Sequence, residues 1–594
     1  KKYCKIQIII KIYITKEIEM LIFKYFRKFF LFIIKEIFSA LILLGIVIGI
    51  IAFVSINLNK KMENKPQVSD NTYIVLSLPN GVKENKSFEF NPFAKEKDLT
   101  FFEIIKAIKH AKTDDKVSGI ILKLDFLDLS FSQIEELSKE LELFKKSGKL
   151  IFAYGEYISK NSYLLGSVAS SIQMNPAAST DLVLDGFNVK VPYYKNLANN
   201  FGVEFQVIHI GDFKTFGENY VKDSISNEFK TQYQILLQDK MNYFVKEISK
   251  NRKIDEENFK ENFLSGKYIF QSSKKALANK FIDKQISYED FLNTKNIKNT
   301  VGITKYYNSI DEIPYDNKIA VINLEGDISN LSSMPDAITP ENVIELLNKA
   351  KEDSAVKGII LRINSPGGSA LAAELINQKV TEIKKYKPVY ISISEVAASG
   401  GYYIAVAGNK IYANENSITG SIGVVSLYCS VETLYKKLGL KYENIALGKV
   451  PTSFDINKKI PDEEISILRD SMISIYDEFK LRVAQGRKID LNKIEELAQG
   501  KVYNGLTAKN LNLIDQIGGL TATVEGLASF LKLSDYQVVQ YNKDFDKFKE
   551  YLDLSNYVKG NKLYENIDNV QSKFKVLEEL NGKPSLVFPM NIKN

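Results

Sequence analysis

A chain of 594 residues, 45% hydrophobic and 25% charged, is globular in composition and too long for one core, so two to four domains are expected. It has only two cysteines, Cys4 and Cys429, and two histidines, His110 and His209. That excludes a disulfide framework and a histidine-rich metal site, and it leaves a Ser-His-Asp triad two candidates. The net charge of +7 is spread along the chain, which argues against a nucleic-acid partner.

Met20 stands just ahead of Lys24, Arg27, Lys28 and Lys35. Residues 1–19 are therefore expected to be an upstream addition to a basic amino-terminal segment, 1–36. Residues 37–58 (IFSALILLGIVIGIIAFVSINL) carry no charge. As a helix they would span about 33 Å, enough for a bilayer core. The basic residues before them favour an inside amino terminus. No small-x-small site closes the segment, so an uncleaved single-pass anchor is expected rather than a signal peptide.

The remainder is written twice. DDKVSGIILKLDF from Asp114 matches DSAVKGIILRINS from Asp353, and LANNFGVEFQVIHIGDFKT, ending at Thr215, matches LYKKLGLKYENIALGKVPT, ending at Thr452. GKYIFQSSKKALANKFIDK from Gly266 matches GKVYNGLTAKNLNLIDQ from Gly500. The offset stays at 234–239 residues, so the chain reads as a tandem duplication with copies at 70–310 and 315–540 and an extension at 541–594. In the first copy His110 falls in a lysine-rich helix and His209 in the apolar strand Val207–Ile210. In the second, residues 318–324, 358–363 and 388–393 read as buried strands, with a helix over 341–351 between the first two. Strands alternating with helices predict an α/β fold with parallel sheets and flanking helices.

Two loops of the second copy carry chemistry. The strand at 358–363 runs into Asn364-Ser365-Pro366-Gly367-Gly368-Ser369, where consecutive glycines let backbone amides approach a ligand. The strand at 388–393 runs into Ala397-Ala398-Ser399-Gly400-Gly401 and an apolar helix. Ser399 is thus predicted at a strand-to-helix turn, where the amides of Gly400 and of the Gly367 loop could hold an oxyanion. A serine nucleophile needs a base, and the second copy has no histidine. His110 and His209 read as structural or solvated. A lysine can serve if burial lowers its pKa, but the many lysines leave the choice open.

The succession of the SPGG loop, AASGGYY and TGSIGV (Thr419–Val424) resembles the signal peptide peptidase A family, in its long tandem-repeat bacterial form. The similarity runs over about 70–540, within the fold group of the Clp protease proteolytic subunit and the crotonases. The resemblance implies a Ser-Lys dyad with Ser399 as nucleophile and Lys214, in HIGDFKT, as general base. It implies that Ser421 orients the lysine and that Gly367 and Gly400 form the oxyanion hole. It further implies cleaved signal peptides as substrates, a homotetramer, and catalytic domains on the outer side of the bacterial cytoplasmic membrane. No cofactor or metal is implied.

The repeat supports this site from another direction. Alignment of the copies puts Lys160 opposite Ser399, Pro451 opposite Lys214, and Asp125–Leu129 in place of the Gly-Gly loop. Each copy lacks what the other has, so one site shared between them accounts for both losses. Two rival readings remain, a crotonase-type acyl-CoA enzyme and a non-catalytic membrane scaffold descended from a protease.

Overall fold

The computed structural model describes residues 66–79, 81–85, 98–311, 313–330, 337–541 and 585–587, with scattered positions between 35 and 49. The chain divides into a unit ending at Gln67 and one beginning at Val68. In the first, Lys35, Ser39, Ile42, Leu43, Gly45, Ile46 and Gly49 are helical and exposed. The predicted membrane span as a whole lies outside the described residues. Among those described, no helix is long and apolar enough to cross a membrane.

In the second unit, the first copy provides strands β1 (Thr72–Leu76), β2 (Val117–Lys123), β3 (Leu150–Gly155), β4 (Ser171–Met174), β5 (Glu204–Ile210), β6 (Lys284–Gln285) and β7 (Asn299–Gly302). All but β5 form a parallel sheet in the order β7-β1-β2-β3-β4-β6. Helices α1 (Phe101–Thr113) and α2 (Phe131–Lys146) cover it, each started by a capping box, Thr100 with Glu103 and Ser130 with Gln133. Crossover helices are what parallel neighbours require, and they bury both sheet faces, which explains the continuous apolar runs in the strands.

The second copy repeats the pattern with β8 (Lys318–Glu325), β9 (Val356–Ser365), β10 (Gly367–Ser369), β11 (Val389–Ala398), β12 (Lys410–Ala413), β13 (Ile418–Gly420), β14 (Val424–Ser430), β15 (Val502–Asn504) and β16 (Gln537–Gln540). Its main sheet has the order β15-β13-β11-β9-β8-β16, with β12 also beside β11. The helix predicted at 341–351 spans Pro340–Glu352, capped by Thr339 with proline at its first position. Strands β9 and β11 outrun the predicted apolar stretches and continue to Ser365 and Ala398. Ser394, beyond the predicted stretch at 388–393, is therefore within the sheet, and it is buried together with Arg362 and Ser392.

A further sheet joins the copies. β5 of the first pairs antiparallel with β14 of the second along its whole length, from Ile210↔Val424 to Glu204↔Ser430. On the far edge of β14, strand β17 (Ser585–Val587) lies between β14 and β10, antiparallel to both.

Candidate active site

Ser399 follows β11 directly and starts helix α3 (Gly400–Ala405). Its backbone is at φ 55°, ψ −115°, outside the regions open to most residues. The turn is held from both sides: its N–H donates to Gly420 O at 2.8 Å, and its carbonyl accepts from Tyr403 N at 2.8 Å. Such strain persists only where neighbours enforce it, and here it presents the hydroxyl at the head of a helix.

Lys214 is carried in by the inter-copy pairing. β5 ends at Ile210, Gly211 turns at φ 109°, and Phe213 N donates to Gln499 O at 2.8 Å. The chain then packs directly on Gly500, where a Cβ would stand 2.4 Å from Lys214 N. Only glycine fits there, and its φ of 79° also favours glycine.

These elements place Lys214 Nζ 2.6 Å from Ser399 Oγ, 2.9 Å from Ser421 Oγ and 3.0 Å from Ser421 O. Lys214 is 1% exposed, and both serines are fully buried. Burial alone drives its pKa well below the usual lysine value. Among the described residues no carboxylate pairs with Lys214 to restore the charge. A neutral amine has two N–H donors and one lone pair. Ser421 offers two acceptors, which leaves the lone pair for the Ser399 hydroxyl.

The oxyanion candidates differ. The Gly400 N–H belongs to the first residue of its helix and has no intrahelical acceptor. The Gly367 N–H donates to Ser365 Oγ at 3.2 Å, and Gly367 pairs with Val587 of β17. Ser365, fully buried, is a site residue that sequence reasoning passed over.

The histidines lie elsewhere. His209 is exposed with Nδ1 3.1 Å from Gly211 O, and His110 Nδ1 is 2.9 Å from Tyr306 OH in the first copy. Lys160, opposite Ser399 in the alignment, is buried at the start of a helix. It donates to Gly186 O at 2.8 Å and lies 3.5 Å from Asp185. Pro451, opposite Lys214, is exposed.

Sequence reasoning also missed the bracing behind the site. Arg362, fully buried on β9, donates to Glu84 at 2.9 Å and to Glu136 at 2.7 Å, both from the first copy. It also reaches Ser392 at 2.9 Å and Ser394 at 3.1 Å, on the strand that leads to Ser399. The available signal was an arginine inside the apolar run GIILRI.

The family described as peptidase family S49 matches residues 143–302 and 381–534, more than half of the chain. Protease 4 of Haemophilus influenzae is 27% identical over 525 residues, covering 83% of this chain and 84% of its own. The chloroplastic serine protease SPPA of Arabidopsis thaliana is 30% identical, covering 77% of this chain and 69% of its own. A putative signal peptide peptidase SppA of Enterococcus faecium is 35% identical over 246 residues, 40% of this chain and 71% of its own. A solved ClpP1 from Listeria monocytogenes shares 16% identity with a TM-score of 0.23, covering 34% of this chain and 91% of its own. The chain belongs to peptidase family S49, with the serine proteases of the Protease 4 and SppA type.

Proposed function

We propose that the chain is a serine endopeptidase in which Ser399 and Lys214 act as a dyad assembled from the two copies. One observation carries the reading: a buried lysine amine without a counter-charge lies 2.6 Å from a serine hydroxyl in a strained turn. Ser399 Oγ attacks the peptide carbonyl as its proton passes to the Lys214 lone pair. The tetrahedral oxyanion is held by the Gly400 amide and by the Gly367 amide, which exchanges Ser365 Oγ for it. Collapse breaks the C–N bond, and Lys214 returns the proton to the departing amine. Water then attacks the acyl-enzyme, gives a proton to Lys214, and the Ser399 hydroxyl reforms as the acid leaves. No metal or cofactor enters these steps.

In this reading the substrate takes the place of β17, as an extended strand between β10 and β14. Cleaved signal peptides are the proposed substrates, on the strength of the resemblance and of the relatives' names. The charge-free segment 37–58 would anchor the enzyme as a single pass, with both copies outside the bacterial cytoplasmic membrane and assembled as a homo-oligomer, proposed as a tetramer. The test is cleavage of an apolar, signal-like peptide by the purified chain, with products read by mass spectrometry. Cleavage lost in Ser399→Ala supports the reading, whereas a pure wild-type chain without activity would leave the scaffold alternative standing.

A further inference from the structure

The short run Gln499-Gly500-Lys501 of the second copy holds the loop that carries Lys214 against the loop that carries Ser421. On one side, Phe213 N donates to Gln499 O at 2.8 Å, and Asp212 N donates to Gln499 Oε1 at 3.0 Å. On the other, Ser421 N donates to Lys501 O at 2.7 Å, and Gly500 N donates to Ile422 O at 2.8 Å. The backbone acceptors and donors in this clasp could come from any residue. The side-chain amide of Gln499 could not.

The backbone around that amide is unusual. Gln499 stands at φ 59°, a left-handed conformation that is costly for a residue with a side chain and open to glycine. A turn that needed only its backbone would be better served by glycine at 499. Strain of this kind persists where the surroundings enforce it, and here the surroundings grip the side chain. Its Nε2 donates to Glu495 Oε1, which also accepts from Tyr476 OH at 3.0 Å. Tyr476 OH in turn accepts from Gln499 N at 3.1 Å, and Lys480 holds the other oxygen of Glu495 at 2.8 Å. Tyr476 is buried on the helix Asp462–Arg487, so the grip is anchored in the core of the second copy. A carboxylate only accepts, so Glu495 fixes which way the amide faces and leaves Oε1 aimed at Asp212 N.

We propose that Gln499 is a positioning residue for catalysis: its amide, locked by Glu495 and Tyr476, fixes the Asp212-Phe213 turn and so holds the Lys214 amine on the Ser399 hydroxyl. It acts through the backbone of the two residues that precede Lys214. A misplacement of about 1 Å at a reacting group can cost about 10²-fold in rate, and the 2.6 Å contact between Lys214 and Ser399 leaves little slack. This role deepens the proposed dyad and rests on it.

The test compares Gln499→Gly, Tyr476→Phe, their double variant and Lys214→Met with wild type, as full chains in mild detergent. Each is measured by Tm and by steady-state kinetics on a signal-like peptide. Gln499→Gly relieves the left-handed backbone as it removes the amide. Its Tm is therefore expected to stay within about 2 °C of wild type, while kcat falls about 10–100-fold at unchanged KM. Tyr476→Phe loosens the amide without removing it and is expected to lower kcat about 3–10-fold. The double variant is expected to be no slower than Gln499→Gly, since both act through one contact. A kcat in Gln499→Gly equal to that of wild type would overturn the proposal. So would a Tm that falls in step with activity, a rise in KM that accounts for the loss, or additive losses in the double variant. Lys214→Met tells the two levels apart. Wild-type turnover in Lys214→Met would fail the dyad and this role with it, whereas a dead Lys214→Met beside a fully active Gln499→Gly would fail the positioning role alone.

Discussion

Lys214 and Ser399 stand 185 positions apart in the chain and 2.6 Å apart across the junction of its two copies. As the proposed base and nucleophile, sharing one hydrogen, they are expected to fail together. Ser399→Ala and Lys214→Met should each lower kcat by about 10³-fold or more, and the double variant should be little worse than either. Steady-state kinetics on a signal-like peptide checks this. Additive losses would mean that the two residues act independently.

Burial of Lys214 without a counter-charge fixes the direction of its pH dependence. Between its lowered folded pKa and the unfolded value of 10.5, the unfolded chain binds the extra proton. Unfolding therefore becomes harder as pH rises through that window, and this contribution levels off above 10.5. Denaturant titrations of wild type should show that slope, and Lys214→Met should lack it.

Ser421 supplies both acceptors that turn the lone pair of the amine toward Ser399. Ser421→Ala removes one of them, and kcat should fall about 10–100-fold with little change in KM, since the peptide's own contacts are untouched. A matching rise in KM would place Ser421 in substrate binding instead.

Gly500 is the floor under the lysine. A methyl group there meets Lys214 N at 2.4 Å in a backbone conformation that L-residues resist. Gly500→Ala should displace the amine and cost about 10²-fold in kcat, measured by steady-state kinetics.

Arg362 ties the two copies together behind the strand that leads to Ser399. Its removal leaves Glu84 and Glu136 buried without a cation, and Arg362→Ala should cost about 3–5 kcal/mol in urea denaturation. Arg362→Lys should recover only part, because one ammonium cannot reproduce the fork that binds two carboxylates and two serine hydroxyls at once.

Much of this was legible in the residues. The strand-to-helix position of Ser399 followed from an apolar run ending in small residues, and the complementary losses at Lys160 and Pro451 pointed to a site shared between the copies. What stayed hidden depends on contacts between distant segments. Glu84 lies in a stretch without periodicity, so nothing local marks it as the partner of Arg362, 278 positions away. The hydrogen bond from Gly367 to Ser365 and the docking of Ser585–Val587 between β10 and β14 are likewise tertiary facts. The surroundings of the histidines match their reading as structural or solvated: His209 is exposed on β5, and His110 lies 2.9 Å from Tyr306 OH.

The most direct test of the dyad is the rate at which Ser399 is acylated by a serine-reactive fluorophosphonate, followed by peptide-mapping mass spectrometry from about pH 5 to 10. The account predicts a single adduct on Ser399, forming faster as pH rises through the lowered pKa of Lys214, and essentially no adduct in Lys214→Met. An adduct on another residue, or labelling of Ser399 in Lys214→Met at the wild-type rate, would contradict it. So would a rate that climbs only between pH 4 and 5 and is flat above, the signature of a carboxylate base.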